Sequence, residues 1–201
     1  MISRLLEENS IFPENTRIQK AENGSDFEVL IASTQHGQFH VPLQLPNGQG
    51  TVHLLKGDHA ADLEHICAEL TEAAKHVAND QQREFLAAYV ESFTTGSLGA
   101  YRDSLHGWVK DRAPRVENIF GFVEPYRDPY GTRAEFEGLV AITDADETRL
   151  LGKLVDESAK FIRRLPWAGP ENDGKGVFEK SLFEPPDLSS IYSMNASYTY
   201  A

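Results

Sequence analysis

The sequence predicts an α+β fold: an antiparallel sheet with a barrel-like core, helices packed against it, and a long helix leading away. Three observations carry that expectation. Apolar residues alternate with period two over 15–55, helical spacing takes over in 58–110 and 144–165, and a strand–turn–strand pattern lies between the helical stretches at 116–143. The expected domains are a sheet-containing lobe at 1–143, a helical excursion at 144–183 and a tail at 184–201.

The first hairpin is centred on Asn23-Gly24, the pair that tolerates positive φ in a tight turn, and it directs Phe27, Val29 and Ile31 to the core. A second follows, with Phe39, Val41, Leu43 and Leu45 alternating up to Pro46-Asn47-Gly48 and Thr51 to Leu55 returning. Asp58 then stands where an N-cap is expected, ahead of Leu63, Ile66, Cys67, Leu70, Ala74 and Val77 at helical spacing. Asn79, with Gln82 three residues on, has the form of a capping box before Phe85, Leu86, Tyr89, Val90 and Phe93. Thr95-Gly96-Ser97 closes that helix, and a third from Leu98 to Lys110 delivers Trp108.

At the centre, Asp128-Pro129-Tyr130-Gly131 reverses the chain, because Pro129 presets φ and Asp128 can bond back to the backbone. Pairing across a tight turn sets Tyr126 against Arg133, Glu124 against Glu135 and Phe122 against Glu137, with Phe120, Phe122, Glu124 and Tyr126 on one face. Like charges facing each other destabilise a hairpin, so folding alone does not account for the acids. Beyond it, Asp144 and Glu147 form a capping pair. Leu150, Leu151, Leu154, Val155, Phe161, Ile162 and Leu165 line the long helix up to Pro166, a Pro- and Gly-rich linker runs to Pro186, and the closing IYSMNASYTYA has strand character.

Composition narrows the function. With 201 residues, 40% hydrophobic and 25% charged, the chain is that of a globular protein. A net charge of −12 opposes nucleic-acid binding, which needs the other sign. The one cysteine, Cys67, falls on an apolar helical stripe and reads as core. MISRLLEENS has no signal-length apolar stretch and no run is long enough to span a bilayer, so a cytosolic setting and no membrane partner are expected.

The run Gly121-Phe122-Val123-Glu124-Pro125-Tyr126-Arg127-Asp128-Pro129-Tyr130-Gly131-Thr132-Arg133-Ala134-Glu135-Phe136-Glu137-Gly138 resembles a signature of the dipeptidyl peptidase III family, zinc exopeptidases that remove dipeptides from peptide N-termini. Trp108-Val109-Lys110-Asp111-Arg112-Ala113-Pro114, the helix-like YVESFTTGSLGAYRDS, Asn15-Thr16-Arg17 and Leu165-Pro166-Trp167 are similar to the same family. The resemblance covers most of this chain but a minority of the family's length. It implies hydrolysis of the second peptide bond by a zinc-bound water, with a glutamate as base.

The family's helical H-E-x-x-x-H motif is absent, since no histidine here precedes a glutamate. His36 and His40 have ligand-like spacing but fall in a turn and strand, so zinc is implied for the full-length enzyme with no ligands for it in this chain. What remains is a substrate-binding wall. Glu124, by spacing and by resemblance, is the candidate for the substrate ammonium. Tyr126 is the candidate catalytic group, donating to the carbonyl oxygen as charge develops. Trp108 offers an apolar wall, and Glu137 and Arg127 offer further polar contacts. The expected partners are short peptides with a free N-terminus and a missing zinc-bearing lobe, and the chain alone is expected to be inactive. Two other readings stay open: a noncatalytic peptide-binding or regulatory module, and a glycosidase pairing Glu124 with Glu135 or Glu137. Each residue also has a plain structural reading, as half-buried strands carry such side chains and Trp is common in cores.

Overall fold

The computed structural model describes residues 2–46, 48–111 and 114–164, together with a strand at 190–199. Its elements run α1 (Ile2–Glu8), β1 (Thr16–Lys20), β2 (Phe27–Ala32), β3 (Gly37–Gln38), β4 (Leu43–Gln44), β5 (Thr51–Asp58), α2 (Ala60–Ala73), α3 (Asp80–Thr95), α4 (Leu98–Trp108), β6 (Val116–Glu124), β7 (Glu135–Asp144), α5 (Ala145–Asp156), α6 (Ser158–Ile162) and β8 (Ser190–Thr199). The chain divides into two compact units, one formed by 1–111, 119–139 and 196–201 and the other by 112–118 and 140–195.

The α+β class holds, and two of its details do not. The first sheet is open rather than barrel-like, with strand order β1-β2-β5-β3 and β4 also on β5. Nor is it wholly antiparallel. β1 and β2 form the expected hairpin, Thr16 opposite Ile31, yet β2 and β5 run parallel, Val29 beside Leu54. The cause lies just past β2, where Thr34 N and Gln35 N donate to Phe93 O and Thr94 O at the end of α3 (3.0 and 3.1 Å). That tether carries the chain away from β2, and it returns through β3 and β4, both antiparallel to β5.

The second hairpin is therefore fragmentary. Phe39 and Val41 are 49% and 75% exposed rather than buried, with Pro42 interrupting the ladder and Phe39 lying under Lys56 Nζ, 4.9 Å from its ring centre. Leu45 does reach the core, joining Leu5, Leu6, Ile11, Val29, Ile31, Val52 and Leu54 in an aliphatic cluster.

The helices form around a second, aromatic cluster. Leu63 and Leu70 of α2, Phe85, Leu86, Tyr89 and Phe93 of α3 are buried there, with Tyr101, Trp108, Phe120, Phe122 and Phe136 packed against them. Asn79 caps α3 by accepting from Gln82 N at 2.7 Å, while Gln82 Oε1 reaches back to Ala78 N. Gly96 ends α3 at φ 75°, and a Cβ there would stand 2.8 Å from Ile31 Cγ2, so both conformation and space require glycine. Asp58 is not the N-cap of α2. Its carboxylate is held by Arg17 in a two-pronged ion pair (2.8 and 2.5 Å), and His59, at φ 54°, takes the cap position.

In the other unit, Asp144 caps α5 through Asp146 N and Glu147 N (2.9 and 3.0 Å). The long helix is not continuous: α5 stops at Asp156 and α6 begins at Ser158. Leu150, Leu154, Val155 and Phe161 are each about half exposed rather than buried. The linker expected up to Pro186 lies outside the described residues, whereas the strand expected near the end is β8, which lies next to β7 in the order β6-β7-β8.

Candidate functional site

The expected reversal forms at its tip, where Gly131 N donates to Asp128 O at 2.9 Å. Asp128 does more than turn the chain. Its Oδ2 accepts from Thr132 N (2.9 Å), Thr132 Oγ1 (3.0 Å) and Arg133 N (2.8 Å). Burial works against its charge, but these bonds outweigh it and bring the carboxyl pKa down to about 2. A loop knotted around one carboxylate is wider than a tight turn. β6 stops at Glu124 and β7 starts at Glu135, so Tyr126 and Arg133 stand in the connection rather than on the ladder.

The consequences differ by residue. Tyr126 lies in the connection, not on a strand, and is 79% exposed; strand alternation no longer ties it to the face of Glu124. Arg133 turns toward Asp128, Nη1 to Oδ2 at 4.0 Å, rather than facing Tyr126 across a ladder. Phe122 meets the ring of Phe136 at 5.3 Å, edge to face. Arg127 pairs with Glu135, whose side chain is only 8% exposed, so one acid of the cluster is neutralised within the loop itself.

The acids are nevertheless brought within reach of one another. Glu137 is half-buried, and its carboxyl is held above the usual range, first by burial and then by the fields of Glu124 and Glu135. The field of Glu137 extends to Tyr101, whose hydroxyl is pushed up to about 12 by burial first and by that carboxylate second. Glu124 itself is half-buried at the last position of β6.

Trp108 ends α4 and lines an open cleft of about 360 Å³ with Tyr89, Tyr101, Leu105, Phe122 and Val123. The cleft wall is apolar and aromatic, with Glu14 and Arg102 as its charged members. Tyr101 sits directly over the β6 backbone: Gly121 has φ 146°, and a Cβ there would lie 2.5 Å from Tyr101 Cε2. Tyr101 is a cleft residue that sequence reasoning missed, although its place seven residues before Trp108 put both on one helix face, two turns apart.

Zinc does not fit the described residues. Among the described residues no three His, Cys, Asp or Glu side chains gather as metal ligands would. His36 packs against Gly57, and His40 Nδ1 is 2.8 Å from Val41 O. Among the described residues, too, no helix is long and apolar enough to cross a membrane.

Sequence similarity classes the chain with the peptidases. The model of Peptidase family M49 matches residues 1–199, and the chain belongs to that family. It is 34% identical over 190 residues to dipeptidyl peptidase 3 of Dictyostelium discoideum, covering 94% of this chain and 26% of that protein. Dipeptidyl peptidase 3 of Rattus norvegicus and of Homo sapiens are 34% and 31% identical over 196 residues, each covering 92% of this chain and 26% of the relative. The chain thus spans about a quarter of the length of these relatives. Among solved structures it is similar to a dipeptidyl-peptidase III from Corallococcus sp. strain EGB (TM-score 0.41, 26% identity, 67% of this chain and 24% of that one). It is also similar to DPP III from Caldithrix abyssi (TM-score 0.45, 23% identity, 65% and 24%).

Proposed function

We propose that this chain is the substrate-binding portion of a zinc-dependent dipeptidyl peptidase that releases N-terminal dipeptides. Glu124 and Glu137 hold the ammonium of a short peptide, Trp108 and Tyr101 wall the space for a side chain, and Tyr126 donates to the carbonyl oxygen of the scissile bond. Arg127 serves the site indirectly, by neutralising Glu135.

One observation carries the reading: Glu137 lies within the fields of both Glu124 and Glu135, and Arg127 pairs with Glu135. Crowded carboxylates are costly for folding and favourable for a cationic ligand, since a bound ammonium relieves the repulsion that raises Glu137. With no metal group among the described residues, we assign the hydrolytic step to the remainder of such an enzyme. The 201-residue chain by itself is inactive in this reading, and a zinc-bearing lobe is its partner.

Calorimetry with tetrapeptides bearing free or acetylated amino termini tests the assignment. The free amine binds about tenfold more tightly, and Glu124→Gln removes most of that preference. Equal affinity for the two peptides would overturn the role of Glu124. Dipeptide release by the pure chain would overturn its inactivity.

A further inference from the structure

Within the first unit, a cavity of about 420 Å³ opens where the sheet meets the junction of α3 and α4. Ile11 and Ile31, both buried, set its inner side, and the rings of Phe12 and Phe39, each about half exposed, stand at its rim. The wall is fixed from behind. Asn15 Nδ2 donates to Gly96 O at 3.0 Å, and Thr34 N and Gln35 N donate to the last carbonyls of α3. Because Gly96 has no Cβ, the chain turns from α3 into α4 beside Ile31 without filling the space.

The charge of this lining runs against that of the chain. The net charge of the protein is −12, yet the cavity is lined by a single charged residue, Lys56, and by no aspartate or glutamate. Lys56 Nζ donates to Gln35 Oε1 at 3.2 Å and lies 4.9 Å from the ring centre of Phe39, and it forms no ion pair among the described residues. An ammonium carries three donors, so the amide of Gln35 leaves others for a ligand. The cation at the other ring is already committed: the Arg102 guanidinium lies 4.3 Å from the ring centre of Phe12 and pairs with Glu14 at 3.6 Å. One cation therefore faces the cavity beside two rings, and no acid in the lining opposes an anion there.

We propose that this cavity binds a small aromatic carboxylate. The carboxylate pairs with Lys56 Nζ, and the ligand ring enters between Phe12 and Phe39 toward Ile11 and Ile31. A charge-assisted hydrogen bond to the ammonium is stronger than one from a neutral donor, so the acid is favoured over its amide. Edge-on or offset contact with the two phenyl rings adds to the burial of the ligand ring. An apolar wall with one placed polar group, at this volume, is the usual form of a small-molecule site. A cationic ligand would meet Lys56, and a wholly polar anion would leave both rings and both isoleucines unused. The inference goes beyond the peptide reading above, since Glu124, Tyr126 and Trp108 do not line this cavity.

The test follows backbone amide signals of the folded 201-residue chain while it is titrated with cinnamate and, separately, with cinnamamide. The acid binds about tenfold more tightly than the amide. The signals of Gly96 and Gly99, which line the cavity, move on binding, whereas that of Gly121, beneath Tyr101 at the other cleft, stays still. Lys56→Gln reduces acid binding about tenfold and leaves amide binding unchanged, and Glu124→Gln alters neither. Should the Lys56 variant fail to fold, the comparison of acid with amide in the unaltered chain still decides the matter. Equal binding of the two probes, no binding of cinnamate at millimolar concentration, movement of Gly121 in place of Gly96, or full acid binding by folded Lys56→Gln would each overturn the site.

Discussion

The sheet-side cluster and the helix-side cluster of the first unit are built on different principles. Around Val29, Val52 and Leu54 the sheet buries only aliphatic groups, each near 0% exposed, and no polar atom of those side chains needs a partner. Around Tyr89 the contacts are directional. Its ring stands edge-on to Phe85 at 5.1 Å and stacks on Phe93 and Tyr101 at 5.8 and 5.9 Å, while its hydroxyl accepts from Phe120 N at 3.3 Å. Aliphatic burial fixes volume, whereas aromatic packing also fixes angle. The candidate site leans on the second kind, since Tyr101, Trp108, Phe120 and Phe122 belong to it.

Truncating both hubs sharpens that contrast. Tyr89→Ala removes four ring contacts and is expected to cost about 3–5 kcal/mol, with Leu54→Ala near the lower part of about 2–5 kcal/mol; urea unfolding measures both. Only the first should also weaken peptide binding in the protein that remains folded, because it releases Tyr101 and Phe120. Comparable loss of binding in the two variants would erase the distinction.

A smaller effect is expected from Gly121→Ala, which forces a methyl to 2.5 Å from Tyr101 at φ 146° and so strains backbone and ring together. We expect a loss of about 1–3 kcal/mol, with the near-ultraviolet signal of the aromatic cluster altered more than the overall helix content. An unchanged aromatic signal would show that Tyr101 is not locked over β6.

The smallest effect lies in the loop. Asp128 has its folded pKa depressed to about 2, so its contribution is present above the unfolded carboxyl value and is lost as pH falls through about 2. Discounted for solvent screening, that contribution is about 1–2 kcal/mol at neutral pH. Asp128→Asn should lower stability by that amount at pH 7 and by almost nothing near pH 2; a gap that persists in acid would contradict the assignment.

What the sequence disclosed follows from distance along the chain. The Asn23-Gly24 hairpin, the Asn79 cap, the Gly96 stop and the Asp144 cap depend on atoms a few residues apart, and each forms as read. Asp58 was misread because Arg17, 41 positions away, claims its carboxylate. The parallel placement of β2 beside β5 turns on Thr34 and Gln35 reaching α3, a contact that no periodicity encodes. At the candidate site the acids were visible, but Arg127 capturing Glu135 and Asp128 gathering its donors were not, and those two events widened the loop and moved Tyr126 off the strand.

The parallel pairing also dictates an order of events during refolding. α3 and α4 are joined by Gly96 and Ser97 and meet as neighbours, and β1 meets β2 across a short turn, so both can assemble early. β5 can join β2 only after the intervening 33–50 segment has been closed into a loop, at an entropic cost that local structure does not bear. The strand at the middle of the finished sheet thus bears a closure cost that the β1–β2 hairpin does not, and while it is undocked the β2 edge stands bare to pairing with another copy of the chain.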